Sequence, residues 1–214
     1  MSLILNLETS TKNCSISIAK NGICIASIEE CSEGYLHSEK LHMFIQYAMK
    51  IAKIDFKDLK SICVSKGPGS YTSLRIGASA AKGLCLSLGI PLLSIDSLTI
   101  LVHKFNNIKS GIFIPMIHAK SDLFYTSLFN EYKKRLSPIF IKKFNDNFFK
   151  TFSKKKDKKV YFLGNFIADK FLSVKNNKLF FQTYPSSMDM SEISYVKYCN
   201  KEFNNIEKFL PFYL

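Results

Sequence analysis

Leu3, Leu5 and Leu7 alternate with Ile4 and Asn6, and Ile16 and Ile18 alternate with serines. This is the two-residue period of strands. Asn21-Gly22 follows, and both residues tolerate the positive φ of a tight hairpin turn. Ile23, Ile25 and Ile28 continue the return strand. The pattern predicts an antiparallel meander over roughly 2–7, 14–19 and 23–30. The period then changes. Leu41, Phe44, Ile45, Ala48, Ile51 and Ala52 recur at helical spacing, with Ser38 placed to cap the start. Ser61 to Ser65 is a short apolar, β-branched run and reads as a buried strand. A second helix is expected over 72–88, its inner face carrying Ile76, Ala80, Gly83 and Leu84, with Gly77 and Ala81 beside them. Gly89 suits its C-terminal cap, and Pro91 to Ile95 gives the next strand.

The resulting order is β-β-β-α-β-α-β. Three antiparallel strands followed by αβαβ is the half-domain of the ribonuclease H-like class, which includes actin and sugar kinases. Fold alone does not settle function. Beyond residue 105 the pattern loosens. Strands are expected at 111–117, 123–129, 139–141, 160–163 and 179–182, and helices at 145–152, 167–172 and 190–203. No repeat of 20–50 residues is visible. The expected organisation is two lobes, 1–105 and 106–214.

Composition adds three points. No stretch approaches the ~18 consecutive apolar residues of a membrane span. The short apolar run at the N-terminus meets Glu8 without a basic leader, so a soluble, cytoplasmic protein is expected. The six cysteines form no C-x-x-C pair and read as reduced, structural thiols. The net charge of +13 directs attention to nucleic acid, but 28 of the 30 basic residues are lysine in a chain also rich in asparagine, isoleucine and phenylalanine. An AT-rich genome produces the same bias. The excess peaks at Lys154 to Lys159, either a solvated loop or a contact to RNA phosphate.

The sharpest local signal is Gly67-Pro68-Gly69-Ser70-Tyr71-Thr72-Ser73-Leu74-Arg75-Ile76-Gly77, between a buried strand and a helix. Glycines allow close backbone approach and a helix N-terminus attracts anions, so a phosphate cradle and a plain tight turn are both open. No Gly-Lys-Ser/Thr follows, so it is not a Walker loop. Arg75 is one of only two arginines, which points to a bidentate or stacked contact that lysine cannot supply.

With this motif the chain resembles the bacterial TsaB (YeaZ) family. Ile4 to Thr11, His37-Ser38-Glu39-Lys40-Leu41, Pro91 to Leu98 and Pro211-Phe212-Tyr213-Leu214 resemble further family segments in the same order. The second lobe matches only loosely. Ser73 stands where the family usually has glycine, and His118-Ala119-Lys120 where it often has Asp-Ala-Arg.

The resemblance implies a two-lobe actin-like fold and a non-catalytic paralogue of TsaD. TsaD is the subunit that makes N6-threonylcarbamoyladenosine at position 37 of tRNA. The implied partners are a TsaD-like chain, a TsaE-like ATPase recruited by the pair, and tRNA indirectly through the basic second lobe, with self-pairing when alone. No cofactor and no membrane association are implied.

The residues agree with a loss of chemistry. TsaD-type metal binding uses two histidines four apart on a helix. Here His37 and His42 are five apart, which turns their rings ~140° from each other, and no carboxylate completes a set. Glu8-Thr9-Ser10-Thr11 lies where relatives bind a phosphate or its metal, and locally reads as a Ser/Thr turn.

The expected partner face comprises His37, Ser38, Leu41, Phe44, Ile45 and Ala48 of the first helix, and Ala78, Ala81 and Lys82 of the second. Internal core is the other reading of the same residues. Gly67, Pro68, Gly69, Ser70, Tyr71, Thr72 and Arg75 form the signature loop, structural or a vestigial phosphate site. A free-standing actin-like ATPase or peptidase-like enzyme would need a metal-binding acid and a second phosphate loop, and a general RNA binder would need salt-sensitive affinity without any partner.

Overall fold

The structure, a computed structural model, describes residues 1–32, 34, 36–143, 159–165 and 178–213. Strands β1 (Leu3–Glu8), β2 (Asn13–Lys20) and β3 (Ile23–Cys31) form the expected meander, and Asn21 and Gly22 turn it with φ of 50° and 85°. Helix α1 (His37–Ala52), β4 (Ser61–Ser65), helix α2 (Tyr71–Leu88) and β5 (Leu92–Ile95) follow. The first sheet has the order β3-β2-β1-β4-β5, antiparallel from β1 outward to β3 and parallel from β1 through β4 to β5. This is the ribonuclease H-like, actin-like arrangement that the sequence predicts. Gly89 ends α2 in the left-handed conformation (φ 64°). Ser38 does not cap α1. Leu36 takes that position, and its carbonyl accepts from the Lys40 amide at 2.9 Å.

Alternation on β1 places two different cores on the two faces of the sheet. Leu3, Leu5 and Leu7 pack with Leu41, Phe44, Ile45, Ala78 and Ala81 under α1 and α2. Ile4 packs on the other face with Cys63, Leu93, Ile100 and Met190. Covered on both sides, β1 is buried along its whole length.

Helix α3 (Ser97–His103) was not expected from the sequence. Its Ile100 faces the first sheet, while Leu98, Leu101 and Val102 face Phe113, Ile117 and Tyr161 of the second. A helix apolar on several sides has no amphipathic stripe to read. The legible signal was the cap: Asp96 accepts from the Thr99 amide at 3.0 Å and the Thr99 hydroxyl at 2.6 Å. Arg135 pairs with the same Asp96 and lies 4.7 Å from the Phe129 ring centroid, so it joins α3 to the second sheet.

The second sheet contains β6 (Ile112–Lys120), β7 (Leu123–Thr126), β8 (Phe140–Lys143), β9 (Val160–Gly164) and β10 (Lys178–Gln182) in the order β10-β9-β6-β7-β8. β6, β7 and β8 are antiparallel, and β9 and β10 run parallel to β6. The first sheet's connectivity is thus repeated, although no repeat is visible in the sequence. The helices expected at 145–152 and 167–172, and Lys154 to Lys158, lie outside the described residues. Helix α4 (Ser191–Cys199) is shorter than the expected 190–203, because residues 187–190 form a separate 3-10 turn. Sequence assigned these residues to the second lobe. They pack instead on the first sheet, with Met190, Ile193, Tyr195 and Tyr198 against Ile4 and Leu93.

All six cysteines are free. Burial pushes the Cys14 and Cys85 thiols up to about 12. Among the described residues, no helix is long and apolar enough to cross a membrane.

Candidate functional site: the signature loop and the first two helices

The signature segment leaves β4, turns through Lys66–Ser70 and enters α2, and it lies against the β1–β2 turn. A Cβ on Gly69 would stand 2.1 Å from the Ser10 carbonyl oxygen, and one on Gly77 would stand 2.3 Å from Thr9 Oγ1. The Ser70 amide donates to the Ser10 carbonyl at 2.8 Å. Gly69 therefore lets the signature loop, and Gly77 lets α2, press on the β1–β2 turn. Gly69→Ala is expected to destabilise the protein by ~2–3 kcal/mol, because the obstacle is backbone and cannot rotate away. A thermal melt indistinguishable from the parent's would show that the loops do not meet.

The β1–β2 turn is engaged with itself. Glu8 Oε1 accepts from the Ser10 amide at 2.6 Å and the Ser10 hydroxyl at 2.5 Å. The Thr9 amide donates to Ser65 Oγ at 3.1 Å, and the Asn13 amide to Thr11 Oγ1 at 3.3 Å. The Ser10 amide and hydroxyl, donors that a phosphate would need, are thus directed at a carboxyl of the chain itself. Burial pushes that Glu8 carboxyl up to about 7, against the hydrogen bonds from Ser10 and Ser65. Asp189 adds to the rise, and its own carboxyl is pushed by burial up to about 6.

Around the loop, the Arg75 guanidinium lies 4.3 Å from the Tyr71 ring centroid, a stacked contact that suits arginine. Ser73, in the place of the family's usual glycine, is buried with its hydroxyl 3.0 Å from that of Ser70. Tyr71, Thr72 and Arg75 are exposed, and Gly67 and Pro68 are buried.

The expected partner residues are mostly interior. His37, Leu41, Phe44, Ile45, Ala48, Ala78 and Ala81 are all buried within the chain. Most of the apolar arc of α1 packs on β2, β3 and α2, but Ile51, at its edge, is 57% exposed. Burial draws the His37 imidazole below its usual range, while backbone hydrogen bonds with Asn13 and Thr11 oppose this. His42, by contrast, is exposed. Ser38 is also exposed, and Lys82 donates to the Glu207 carbonyl at 3.1 Å.

The phase of α2 agrees with expectation in part. Leu74, Gly77, Ala78, Ala80, Ala81 and Cys85 are buried, and Ile76 and Leu84 pack half-buried against the same core, whereas Gly83 is exposed. Ile76, Ala80, Gly83 and Leu84 line a groove of about 750 Å³ between α1 and α2, with Ser38, His42, Tyr71 and Arg75 on its rim. A Cβ on Gly83 would meet nothing within 4 Å. The sequence pattern left out Met43 and Tyr47 and set Ile51 on the inward apolar face, yet all three form an exposed stripe on α1. Its signal was present, as apolar residues four apart on the otherwise polar side of the helix.

Two five-stranded sheets of one connectivity among the described residues define a protein of the actin-like class. Residues 33–182 match the profile of the family described as TsaD: tRNA N6-adenosine threonylcarbamoyltransferase. The tRNA threonylcarbamoyladenosine biosynthesis protein TsaB of Bacillus subtilis is 31% identical over 167 residues, 76% of this chain and 70% of its own. The TsaB protein of Buchnera aphidicola from Acyrthosiphon pisum is 35% identical over 135 residues, and the match spans 63% of this chain and 60% of that relative's length. A Pseudomonas aeruginosa structure, described as similar to peptidase YeaZ, superposes over the whole of both chains with a TM-score of 0.84 at 20% identity, a likeness of fold. The chain belongs to the TsaB (YeaZ) family.

Proposed function

We propose that this chain works in the synthesis of N6-threonylcarbamoyladenosine in tRNA as a non-catalytic, cytoplasmic subunit that pairs with a TsaD-type catalytic chain. In this reading the pair recruits a TsaE-type ATPase, tRNA is met indirectly along the basic second lobe, and the chain pairs with itself when alone. The lobes are 1–105 and 106–214, the latter returning its last helix to the first. The observation that carries the reading is the groove between α1 and α2, floored by Ala80 and Gly83 and open above Gly83. Small residues on a helix surface admit a second helix at close range. The internally engaged turn at Glu8 supports the absence of phosphate chemistry.

The test is Gly83→Lys. Replacing a mid-helix glycine is expected to keep or raise stability, by up to ~1 kcal/mol, while the side chain fills the groove. Pairing with the TsaD-type chain of the same cell, followed by calorimetry, is expected to be lost. Undiminished pairing by this folded variant places the interface elsewhere. Turnover of ATP by the isolated chain overturns the non-catalytic assignment.

A further inference from the structure

The segment 204–213 runs from the edge strand β5 to the signature loop. The Asn204 amide donates to the Leu92 carbonyl at 2.8 Å, Phe209 is buried in the core beneath α1 and α2, and Lys82 holds the carbonyls of Glu207 and Phe209. The Phe212 amide then donates to the Lys66 carbonyl at 2.6 Å. Gly67 has a φ of 96°, and a Cβ there would stand 2.8 Å from the Phe212 carbonyl oxygen. The first glycine of the signature thus serves a contact with residues 145 positions away, besides its turn. Beyond it, the Tyr213 ring centroid lies 4.7 Å from that of Tyr71, whose ring also carries the Arg75 guanidinium. Tyr71, Arg75 and Ser79 line both the α1–α2 groove and a second one of about 490 Å³ between α2 and this segment.

From this geometry we infer that Phe212 and Tyr213 are positioning residues for the pairing face. They strap the signature loop down and fix where Tyr71 and Arg75 stand on the rim of the groove. The inference rests on the pairing function proposed above and deepens it. Backbone attachment at Phe212 sets the loop, and ring contact at Tyr213 sets Tyr71. A loosened rim leaves the core intact, because the core contact of the segment is Phe209.

The experiment uses the full chain with three substitutions. Tyr213→Ala removes the ring, Tyr213→Phe keeps it without the hydroxyl, and Phe212→Pro removes the donor to Lys66. Affinity for the TsaD-type chain is measured by calorimetry, hydrogen exchange over 66–76 by mass spectrometry, and folding by thermal melt. Tyr213→Ala is expected to weaken pairing about five- to tenfold with little change in melting, and Tyr213→Phe to restore it. Phe212→Pro is expected to accelerate exchange in 66–71 and to weaken pairing as well. Parental affinity in both Tyr213→Ala and Phe212→Pro overturns the inference. If the parent chain itself does not pair, the proposed function falls. The exchange measurement then decides the strap alone: faster exchange over 66–71 in Phe212→Pro upholds it, and unchanged exchange overturns it.

Discussion

Ala81→Glu is expected to unfold the protein, whereas a lysine two residues further along the same helix leaves it folded. Ala81 has no exposed surface and packs beneath α2 in the main core. A carboxylate there has neither room nor a partner, and leaving a buried charge unpaired costs ~3–5 kcal/mol before any steric strain. That is a large part of the ~5–15 kcal/mol by which a domain of this kind is stable. Ala78→Glu is expected to act in the same direction, since Ala78 is 5% exposed. Circular dichroism and a thermal melt check both. A cooperative melt near the parental temperature for Ala81→Glu would mean that α2 is rotated and that Ala81 faces outward. The comparison separates core from face: loss of pairing in Ala81→Glu follows from unfolding, and loss of pairing in Gly83→Lys follows from a blocked groove.

Glu8→Gln is expected to raise stability above pH 7 and to leave it nearly unchanged at pH 4. The Glu8 carboxyl lies at about 7 in the folded chain against 4.5 ordinarily, and burial is the main cause. A carboxyl raised in the folded state contributes no penalty below its unfolded pKa, where it is protonated in both states. As pH rises from about 4.5 to about 7, the unfolded chain releases the proton and the folded chain retains it, so stability falls. The full difference amounts to about 3 kcal/mol at ~1.4 kcal/mol per tenfold change in proton affinity. Glutamine removes this slope, and its carbonyl oxygen can still accept from the Ser10 amide. At pH 8 the expected gain is ~1–3 kcal/mol, or ~2–4 °C of melting temperature per kcal/mol. Asp189, raised to about 6, adds a smaller slope of the same sign that survives the substitution. Parallel pH–stability curves for parent and variant would show that Glu8 is solvated and ionised throughout.

The residues by themselves determine the first five strands, the first two helices and the hairpin at Asn21-Gly22, because each depends on neighbours a few positions away. A period of two, a period of 3.6 and a residue tolerant of positive φ are all local properties. The family motif was legible for the same reason, as a contiguous run from Gly67 to Gly77. Which side of each element faces what was decided by packing. Leu41, Phe44, Ile45 and Ala48 of α1, expected at an interface, lie in the core, since β2 and β3 extend the sheet beneath them. The small residues of α2 divide into two sets, with Gly77, Ala80 and Ala81 buried and Gly83 exposed on the groove. A composition of small residues carries no information on which set is which. Ser15 and Ser17, polar positions on β2, are buried against Ser187, whose hydroxyl lies 2.8 Å from Ser15 Oγ and whose carbonyl accepts from Ser17 at 2.8 Å. Helix α3 is hidden by being apolar toward both sheets, the second sheet's repetition of the first by the lack of any repeat in the residues, and the return of 204–213 to Lys66 by its distance along the chain. Contacts of that kind join residues whose patterns are independent of one another, so only the folded chain brings them together.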